Sequence, residues 1–241
     1  MINAITSYKH LFINKFSGHR GNLLTGIKHD NSAEDIDTTT QIDRAQYVVF
    51  DTELTGLQAK KDSIVSIGAI KMGGGRILLS EIFYRIVEPR TKLTGKSVLV
   101  HEITPSEATE CPGIDKLLPE FLDFCGNSIL VGHFVTIDIN FINQEMKRLY
   151  GSQLRNSSVD TLKLYTWIRR KEEEVCAYHG GIEEDTNLVS LAKKYGIPVN
   201  KAHNALDDAF VTAQLFQRFI SLMPKFGIRT IGDLLKIGKS Q

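Results

Sequence analysis

The pattern of apolar and polar positions predicts a run of strands, followed by helices and strands that alternate. YVVFDTEL at 47–54 is apolar on both faces at first, which is typical of a buried strand. SIVSIGAIKM at 63–72 alternates and predicts a second strand, and the three glycines at 73–75 predict a turn. ILLSEIFYRIV at 77–87 predicts a third strand. Short turns therefore indicate a three-stranded antiparallel meander.

Helical spacing dominates after the meander. Apolar positions in GIDKLLPEFLDFCG predict a helix, SILVGHF predicts a short buried strand, and IDINFINQEMKRLYG predicts a helix that ends at Gly151. Further elements follow: a strand or turn and then a helix in 159–170, a charged glycine-containing insert at 170–186, and helices at 187–196, 205–223 and 230–238. Strands first and alternation afterwards indicate an α/β domain with a mixed central sheet flanked by helices.

The chain divides into three predicted parts. Residues 1–45 form a leader, which begins with a short amphipathic stretch and continues in Gly, Ser, Thr, Asn and Asp. Two interpretations of this leader stay open, since it is either only partly ordered or docked on the main domain or on a partner. Residues 46–222 form the compact domain, and residues 223–241 form a short helical tail.

Composition narrows the class of protein. The 241 residues carry a formal net charge of +1, so a nucleic-acid site must be a local patch or a metal site. Three widely spaced cysteines without a CxxC pair argue against a zinc site or a disulfide framework and favour a reducing cytoplasm. No apolar run reaches the length of a membrane span, and the N-terminus does not resemble a signal peptide.

Acidic residues stand where buried elements begin or end. Asp51 and Glu53 close the first strand, and the period of two places them on the same side of the sheet. Asp138 follows a strand and opens a helix. Asp208 lies at the start of the long helix, five residues after His203. These elements predict that four carboxylates and one imidazole meet at one place.

Buried carboxylates cannot all ionise side by side unless cations neutralise them. Hard oxygen ligands of this kind suit Mg²⁺ or Mn²⁺ and not zinc. Two such ions, clamped by carboxylates, suit in-line attack on a phosphodiester, where one ion activates water and the other stabilises the leaving oxygen. We expect Asp51, Glu53, Asp138 and Asp208 to hold the ions, and His203 to take the proton from the attacking water.

Each motif also has an ordinary explanation. A DxE pair after a strand occurs often by chance, and Asp138 taken alone fits the N-cap of its own helix. The pair formed by His203 and Asp208 fits a solvated helix start. The functional interpretation depends on the ordered set, in which every member stands at a strand end or a helix start.

Three segments carry a resemblance to a known family. FDTELTGL at 50–57, HFVTID at 133–138 and HNALDD at 203–208 are similar to the three motifs of the DEDDh, or DnaQ-like, 3′–5′ exonucleases. That family includes the proofreading epsilon subunit of bacterial DNA polymerase III. The similarity covers roughly residues 46–222. It implies a ribonuclease H-like fold, two divalent ions and release of nucleoside 5′-monophosphates from a 3′ end.

The resemblance also implies residue roles. Asp51, Glu53, Asp138 and Asp208 match the family's metal ligands, and His203 matches its general base. The resemblance further implies that five residues contact the terminal nucleotide: Thr52, Thr55, Gly56, Leu57 and His101. Gly56 would let the backbone approach this nucleotide closely, and Leu57 would pack as an apolar wedge against its base. An alternative for Leu57 is an ordinary core position. Such contacts to sugar, backbone and base faces would not depend on nucleotide sequence.

Two positions depart from the family pattern. Leu54 replaces a threonine of the first motif, where we expect little effect because the position follows the ligands. Phe134 replaces the asparagine that lies near the substrate backbone in the family, so we expect altered handling of the scissile nucleotide or the nearby strand.

The predicted substrate is the single-stranded or frayed 3′ end of DNA. An exoribonuclease that trims RNA would use the same residues, so it stays an alternative. A non-catalytic module that binds nucleic acid or polymerase is a second alternative, and the complete set of acids argues against it. A polymerase or another protein is a candidate partner through the N-terminal leader, whereas a dedicated proofreading subunit is the less favoured role.

Overall fold

The computed structural model describes residues 36–176, 185–199 and 203–240, with the side chains of residues 175 and 176 excepted. Five strands lie within these residues: β1 Gln46–Leu54, β2 Ile64–Gly73, β3 Arg76–Ile86, β4 Ile129–Gly132 and β5 Ser158–Asp160. They form one sheet in the order β3-β2-β1-β4-β5. The first three strands pair antiparallel, and β4 and β5 extend the sheet in parallel. The predicted meander and mixed sheet are confirmed.

The helices follow the predicted order, with two additions. The described helices are α1 Gly95–His101, α2 Pro105–Thr109, α3 Ile114–Cys125, α4 Thr136–Tyr150, α5 Thr161–Cys176, α6 Leu188–Lys194, α7 Ala205–Leu222 and α8 Ile231–Gly238, with a 3-10 turn at Met223–Phe226. Helices α1 and α2 are too short for periodicity to predict, and Thr94 and Thr104 cap them. Helix α5 continues into the predicted charged insert, whose residues 177–184 lie outside the described part. None of the described helices is long and apolar enough to span a membrane.

Alternation along β1 assigns its side chains to two different cores. Tyr47 and Val49 face one core, where the ring of Phe216 from α7 meets Tyr47 edge-on at 4.9 Å. Val48 and Phe50 face the other core, which α3 and α4 cover. The same alternation carries Asp51 and Glu53 to the side of α7, and Thr52 to the side of α4.

Gly68 of β2 lies directly opposite Asp51 in the sheet. A Cβ atom at this position would lie 2.3 Å from the backbone of both Ala205 and Leu206. The absence of a side chain therefore allows the first turn of α7 to touch the sheet beside Asp51. That contact brings Asp208, which lies in the first turn of α7, to the end of β1.

The two ends of the described chain lie against each other. Gln41 forms a bridge with Thr230, and Ile42, only 2% exposed, belongs to the same core as Ile231 and Leu234 of α8. The predicted leader falls outside the described residues for positions 1–35. The division of the chain at residues 46 and 222 stays a prediction.

We expect Gly68→Ala to destabilise the protein by about 1 to 3 kcal/mol, because the new methyl group forces α7 away from β2. Gly73→Ala is the matched control on the same strand, since its Cβ would meet nothing closer than 3.8 Å. Urea unfolding followed by circular dichroism measures both free energies of unfolding. Equal stability of the two variants would contradict the close contact at Gly68.

Candidate active site

Three carboxylates meet where β1 ends and α7 begins. Asp51 and Glu53 come from β1, and Asp208 comes from the first turn of α7. One carboxylate oxygen from each lies within 4.8 Å of the other two. Glu53 is 8% exposed, whereas Asp51 and Asp208 are half-buried, so the cluster is open to solvent on the side of these two acids. These three acids, which sequence alone had predicted together, can share one cation.

Asp138 reaches the same place from the other face of the sheet. It lies in the first turn of α4, is 5% exposed, and accepts hydrogen bonds from the amide of Thr52, at 3.0 Å, and from the Thr52 hydroxyl. The N-cap residue of α4 is Val135, so the interpretation of Asp138 as the N-cap is wrong. The carboxylate is directed across to β1 and not to the end of its own helix.

Burial raises the pKa values of all four acids, and for Asp51 and Glu53 the charges of the other cluster acids add to the effect. Burial, followed by the charges of Asp138, Asp208 and Glu53, raises the pKa of Asp51 well above its ordinary value. Burial is also the main cause that raises the pKa of Glu53 to about 8, of Asp138 to about 7 and of Asp208 to about 6. Without a cation the cluster therefore retains protons at neutral pH.

This donor set fits a hard divalent cation. All four side chains offer carboxylate oxygens, which are the ligands that Mg²⁺ and Mn²⁺ prefer. A cation placed among them would favour their charged forms and remove the cost that now raises their pKa values. A bound divalent cation would thus both lower the raised pKa values and stabilise the close approach of the carboxylate oxygens.

His203 precedes α7 and is tied to the acidic cluster by its backbone. Its φ of 66° is left-handed, and its amide donates to Asp208 Oδ2 at 3.0 Å, while the imidazole is exposed. The N-cap of α7 is the next residue, Asn204, whose side chain accepts from the amide of Asp207. The exposed imidazole agrees with a solvated helix start. The hydrogen bond from the His203 amide to Asp208 nevertheless holds this residue next to the acidic cluster.

Thr52 and Thr55 use their donors within the protein. The amide and the hydroxyl of Thr52 both donate to the carboxylate of Asp138, and the amide of Thr55 donates to the carbonyl of Ser63 at 2.9 Å. The Thr55 hydroxyl accepts from the amide of Ser63 at 2.9 Å and lies 3.0 Å from the hydroxyl of Thr91. A direct bond from either amide to a substrate would have to replace one of these bonds.

The loop after β1 presents an exposed apolar tip. A Cβ at Gly56 would lie 2.5 Å from the carboxylate of Asp62, which accepts from the amide of Gln58, so a side chain at this position would displace that carboxylate. Leu57 at the tip is 76% exposed. The core interpretation of Leu57 is therefore wrong, and the side chain is free to meet a ligand.

His101 ends α1 as a buried hydrogen-bond donor. Its Nδ1 accepts from the amide of Ile103 at 3.1 Å, so the neutral ring carries its hydrogen on Nε2. Burial lowers its pKa and keeps the ring neutral. The Nε2 atom is buried and has no hydrogen-bond partner among the described residues. Such an unpaired donor is costly unless a ligand accepts from it.

Several residues near these elements escape the sequence patterns. Phe134 follows β4 with a left-handed φ of 56° and is 42% exposed, and its amide donates to the buried Asp160. Leu99 and Val100, just before His101, are 84% and 42% exposed. An unusual phenylalanine in an asparagine position signals Phe134 in the sequence, whereas nothing in the sequence distinguishes Leu99 or Val100 from core residues.

Comparison with known proteins gives one family and several relatives. The family model RNase_T, described as an exonuclease, matches residues 48–216. The DNA polymerase III subunit epsilon of Aquifex aeolicus is 33% identical over 196 residues, which are 81% of this chain and 91% of that protein. The PolC-type DNA polymerase III of Thermotoga maritima is 33% identical over 193 residues, or 80% of this chain. The match spans only 13% of that PolC-type protein.

Solved structures agree with the ribonuclease H-like fold. Exonuclease X in complex with 5′ overhanging duplex DNA has a TM-score of 0.57 and 22% identity, with 79% of this chain and 98% of that chain covered. E. coli exonuclease I in complex with a dT13 oligonucleotide has a TM-score of 0.63 and 18% identity, with coverages of 76% and 43%. The predicted ribonuclease H-like fold is confirmed.

We expect the metal-free protein to lose stability as pH rises from 5 to 8. The raised pKa of Glu53 means that the fold favours its protonated form, and this contribution disappears as pH passes through about 8. Glu53→Gln removes the effect, so in EDTA the variant should gain about 1 kcal/mol or more relative to the parent between these pH values. Urea unfolding at both pH values measures the gain.

An exposed glutamate supplies the control for this experiment. Glu110→Gln makes the same chemical change outside the cluster and should leave the pH dependence of stability unaltered. Addition of Mg²⁺ should shrink the difference between Glu53→Gln and the parent at pH 8. An identical pH dependence in all three proteins would contradict the raised pKa of Glu53.

Proposed function

Because the chain belongs to the RNase_T exonuclease family, we propose that it is a metal-dependent 3′–5′ exonuclease acting on DNA. It would hydrolyse the last phosphodiester bond at a 3′ end and release a nucleoside 5′-monophosphate. The observation that carries this proposal is the convergence of Asp51, Glu53 and Asp208 within 4.8 Å, with Asp138 beside them.

The four carboxylates are proposed as ligands of two Mg²⁺ or Mn²⁺ ions. Such ions, when bound, neutralise charge on the phosphate and lower the pKa of water. Asp51 and Glu53 are held by the sheet, Asp208 by the first turn of α7, and Asp138 by its bonds to Thr52. Because the fold holds the carboxylates in place beforehand, the free-energy cost of bringing their charges together does not add to the barrier of the reaction.

His203 is proposed as the general base. The proposal is supported by the exposure of the imidazole and by the hydrogen bond that the backbone amide of His203 donates to the carboxylate of Asp208. A ring nitrogen would accept the proton of the attacking water. Residues 200–202, which precede it, lie outside the described part of the chain.

The terminal nucleotide would lie between the loop after β1 and the end of α1. The His101 Nε2–H supplies one donor, and the exposed Leu57 offers an apolar surface to a base. Thr52, Thr55 and Gly56 would shape this subsite through the loop, because their own hydrogen bonds and close contacts hold it in place. None of these groups distinguishes one base from another.

DNA is favoured as the substrate by the names of the relatives. The Aquifex and Thermotoga proteins are DNA polymerase III components, and both structural neighbours described above are complexes with DNA. An RNA-trimming activity stays the alternative that the first experiment separates. A polymerase or other protein partner through residues 1–45 and a cytoplasmic location are parts of this proposal. A role in DNA repair as a stand-alone or differently partnered enzyme is favoured over that of a dedicated proofreading subunit.

We expect Asp51→Asn and Asp208→Asn to lower turnover at least about a thousandfold, since losing charge stabilisation worth several kcal/mol costs tenfold per 1.4 kcal/mol. Asp207→Asn is the matched control on the same turn of α7 and should retain most activity. The assay follows 5′-labelled single-stranded DNA and RNA with Mg²⁺, Mn²⁺ or EDTA. A metal-dependent ladder that shortens from the 3′ end supports the proposal, and the ratio of rates selects DNA or RNA.

Two results of this assay would count against the proposal. Unchanged turnover in Asp51→Asn or Asp208→Asn would remove the site assignment. A parent protein that degrades neither polymer would favour the non-catalytic binding module.

We expect His203→Ala to lower turnover by about a hundredfold to ten-thousandfold while leaving metal affinity near the parent value. Calorimetric titration with Mn²⁺ measures the affinity, and the labelled-DNA assay measures turnover. A loss of Mn²⁺ binding in this variant would make His203 a ligand and contradict its assignment as the base.

A further inference from the structure

A positively charged groove is lined by the loop after β1, the segment after β3 and helix α4. Its volume is about 420 Å³, and it is lined by Lys60, Arg90, Gln144, Lys147 and Arg148. Four of these five residues are cationic on a chain whose formal net charge is only +1. The groove is therefore a local concentration of positive charge.

Glu145 organises the two arginines of the groove. Its carboxylate is 7% exposed and accepts from Arg90 at 2.5 Å and from Arg148 at 2.6 Å. The arginine side chains keep 46% and 37% of their surfaces exposed. Each guanidinium has five N–H donors in a planar fork, so donors remain for an oxyanion in the groove.

The two lysines have no comparable partner. Among the described residues no carboxylate forms an ion pair with Lys60 or Lys147, and both side chains are exposed. One buried carboxylate against four cations leaves the groove strongly positive. A structural ion pair alone would need only Arg90, Arg148 and Glu145, so the lysines point to a polyanionic ligand.

The elements that line the groove also build the active site. Lys60 lies in the loop that carries Leu57, and Arg90 precedes Thr91, whose hydroxyl lies 3.0 Å from that of Thr55. Lys147 lies nine residues after Asp138 on α4, which is about 13 Å along the helix. The groove and the carboxylate cluster thus share these elements, but no residue belongs to both.

We propose that this groove binds the phosphates of the DNA strand upstream of the nucleotide being removed. The inference rests on the proposed function, because it assigns a path to the strand whose 3′ end lies at Asp51. Arginine forks and lysine ammonium groups suit phosphate oxygens. Contacts to the backbone would hold a strand of any sequence, as an exonuclease that moves along its substrate requires.

The test compares two double variants with the same change in charge. Lys60→Glu/Lys147→Glu reverses the unpaired lysines and leaves the Arg90–Glu145–Arg148 cluster in place. The control, Arg76→Glu/Lys225→Glu, alters exposed cations away from the active site. Arg76 starts β3, opposite the β2 residue that pairs with the beginning of β1, and Lys225 follows the far end of α7.

Two substrates separate strand binding from chemistry. One is a 5′-labelled oligothymidylate of about 20 nucleotides, long enough to reach the groove, and the other is the p-nitrophenyl ester of thymidine 5′-monophosphate, which is too short. We expect the groove variant to lower kcat/KM on the oligonucleotide about tenfold or more and to leave turnover of the ester unchanged. The control variant should match the parent on both substrates.

Salt dependence gives an independent reading of the same contacts. Fluorescence anisotropy of the labelled oligonucleotide in EDTA measures Kd, and loss of two phosphate contacts should reduce the slope of log Kd against log salt by about 1.4. The proposal would be overturned if the groove variant had the same salt slope and the same kcat/KM on the oligonucleotide as the parent. It would also be overturned if the variant lost activity equally on the oligonucleotide and on the ester. If the parent cleaves neither substrate, the proposed function fails, and the anisotropy slope alone decides the groove.

Discussion

The burial of four carboxylates close together at the end of one strand is the constraint on which this structure depends. Asp51 and Glu53 lie on one face of β1, Asp208 reaches them from α7, and Asp138 approaches from α4. The raised pKa values of Asp51 and Glu53 follow mainly from burial and then from the neighbouring charges, so this arrangement disfavours the charged carboxylates in the absence of a cation. A fold that meets such a cost without ions must be stabilised elsewhere, and the two apolar cores on either side of the sheet provide that stability.

A close backbone contact on one face of the sheet and two hydrogen bonds on the other hold the acids in position. Gly68 has no side chain, so the start of α7 can lie against β2 at the level of Asp51. On the other face, the Thr52 amide and hydroxyl orient the carboxylate of Asp138. Helix and sheet thus fix the cluster from both sides, which is the preorganisation that stabilisation of developing charge requires.

Positive charge is concentrated on one part of the surface, although the chain as a whole is nearly neutral. The near-neutral composition gives no sign of a nucleic-acid surface. Folding nevertheless gathers Lys60, Arg90, Lys147 and Arg148 around one groove, beside an acidic cluster with the opposite field. Such an arrangement would attract a phosphate backbone at the groove while leaving the carboxylates to cations.

The sequence by itself determined the order of the strands and of the longer helices, and it indicated the four acids and His203 as candidate site residues, because hydrophobic periodicity and motif spacing are local properties of the chain. Tertiary structure decided the rest. Two of these features are contacts between residues far apart in sequence: Thr52 donates to Asp138, and Arg90 forms an ion pair with Glu145. A third, the exposure of Leu57, depends on which parts of the fold cover that side chain. A local pattern holds no information on such partners, since they are set only when the helices dock on the sheet.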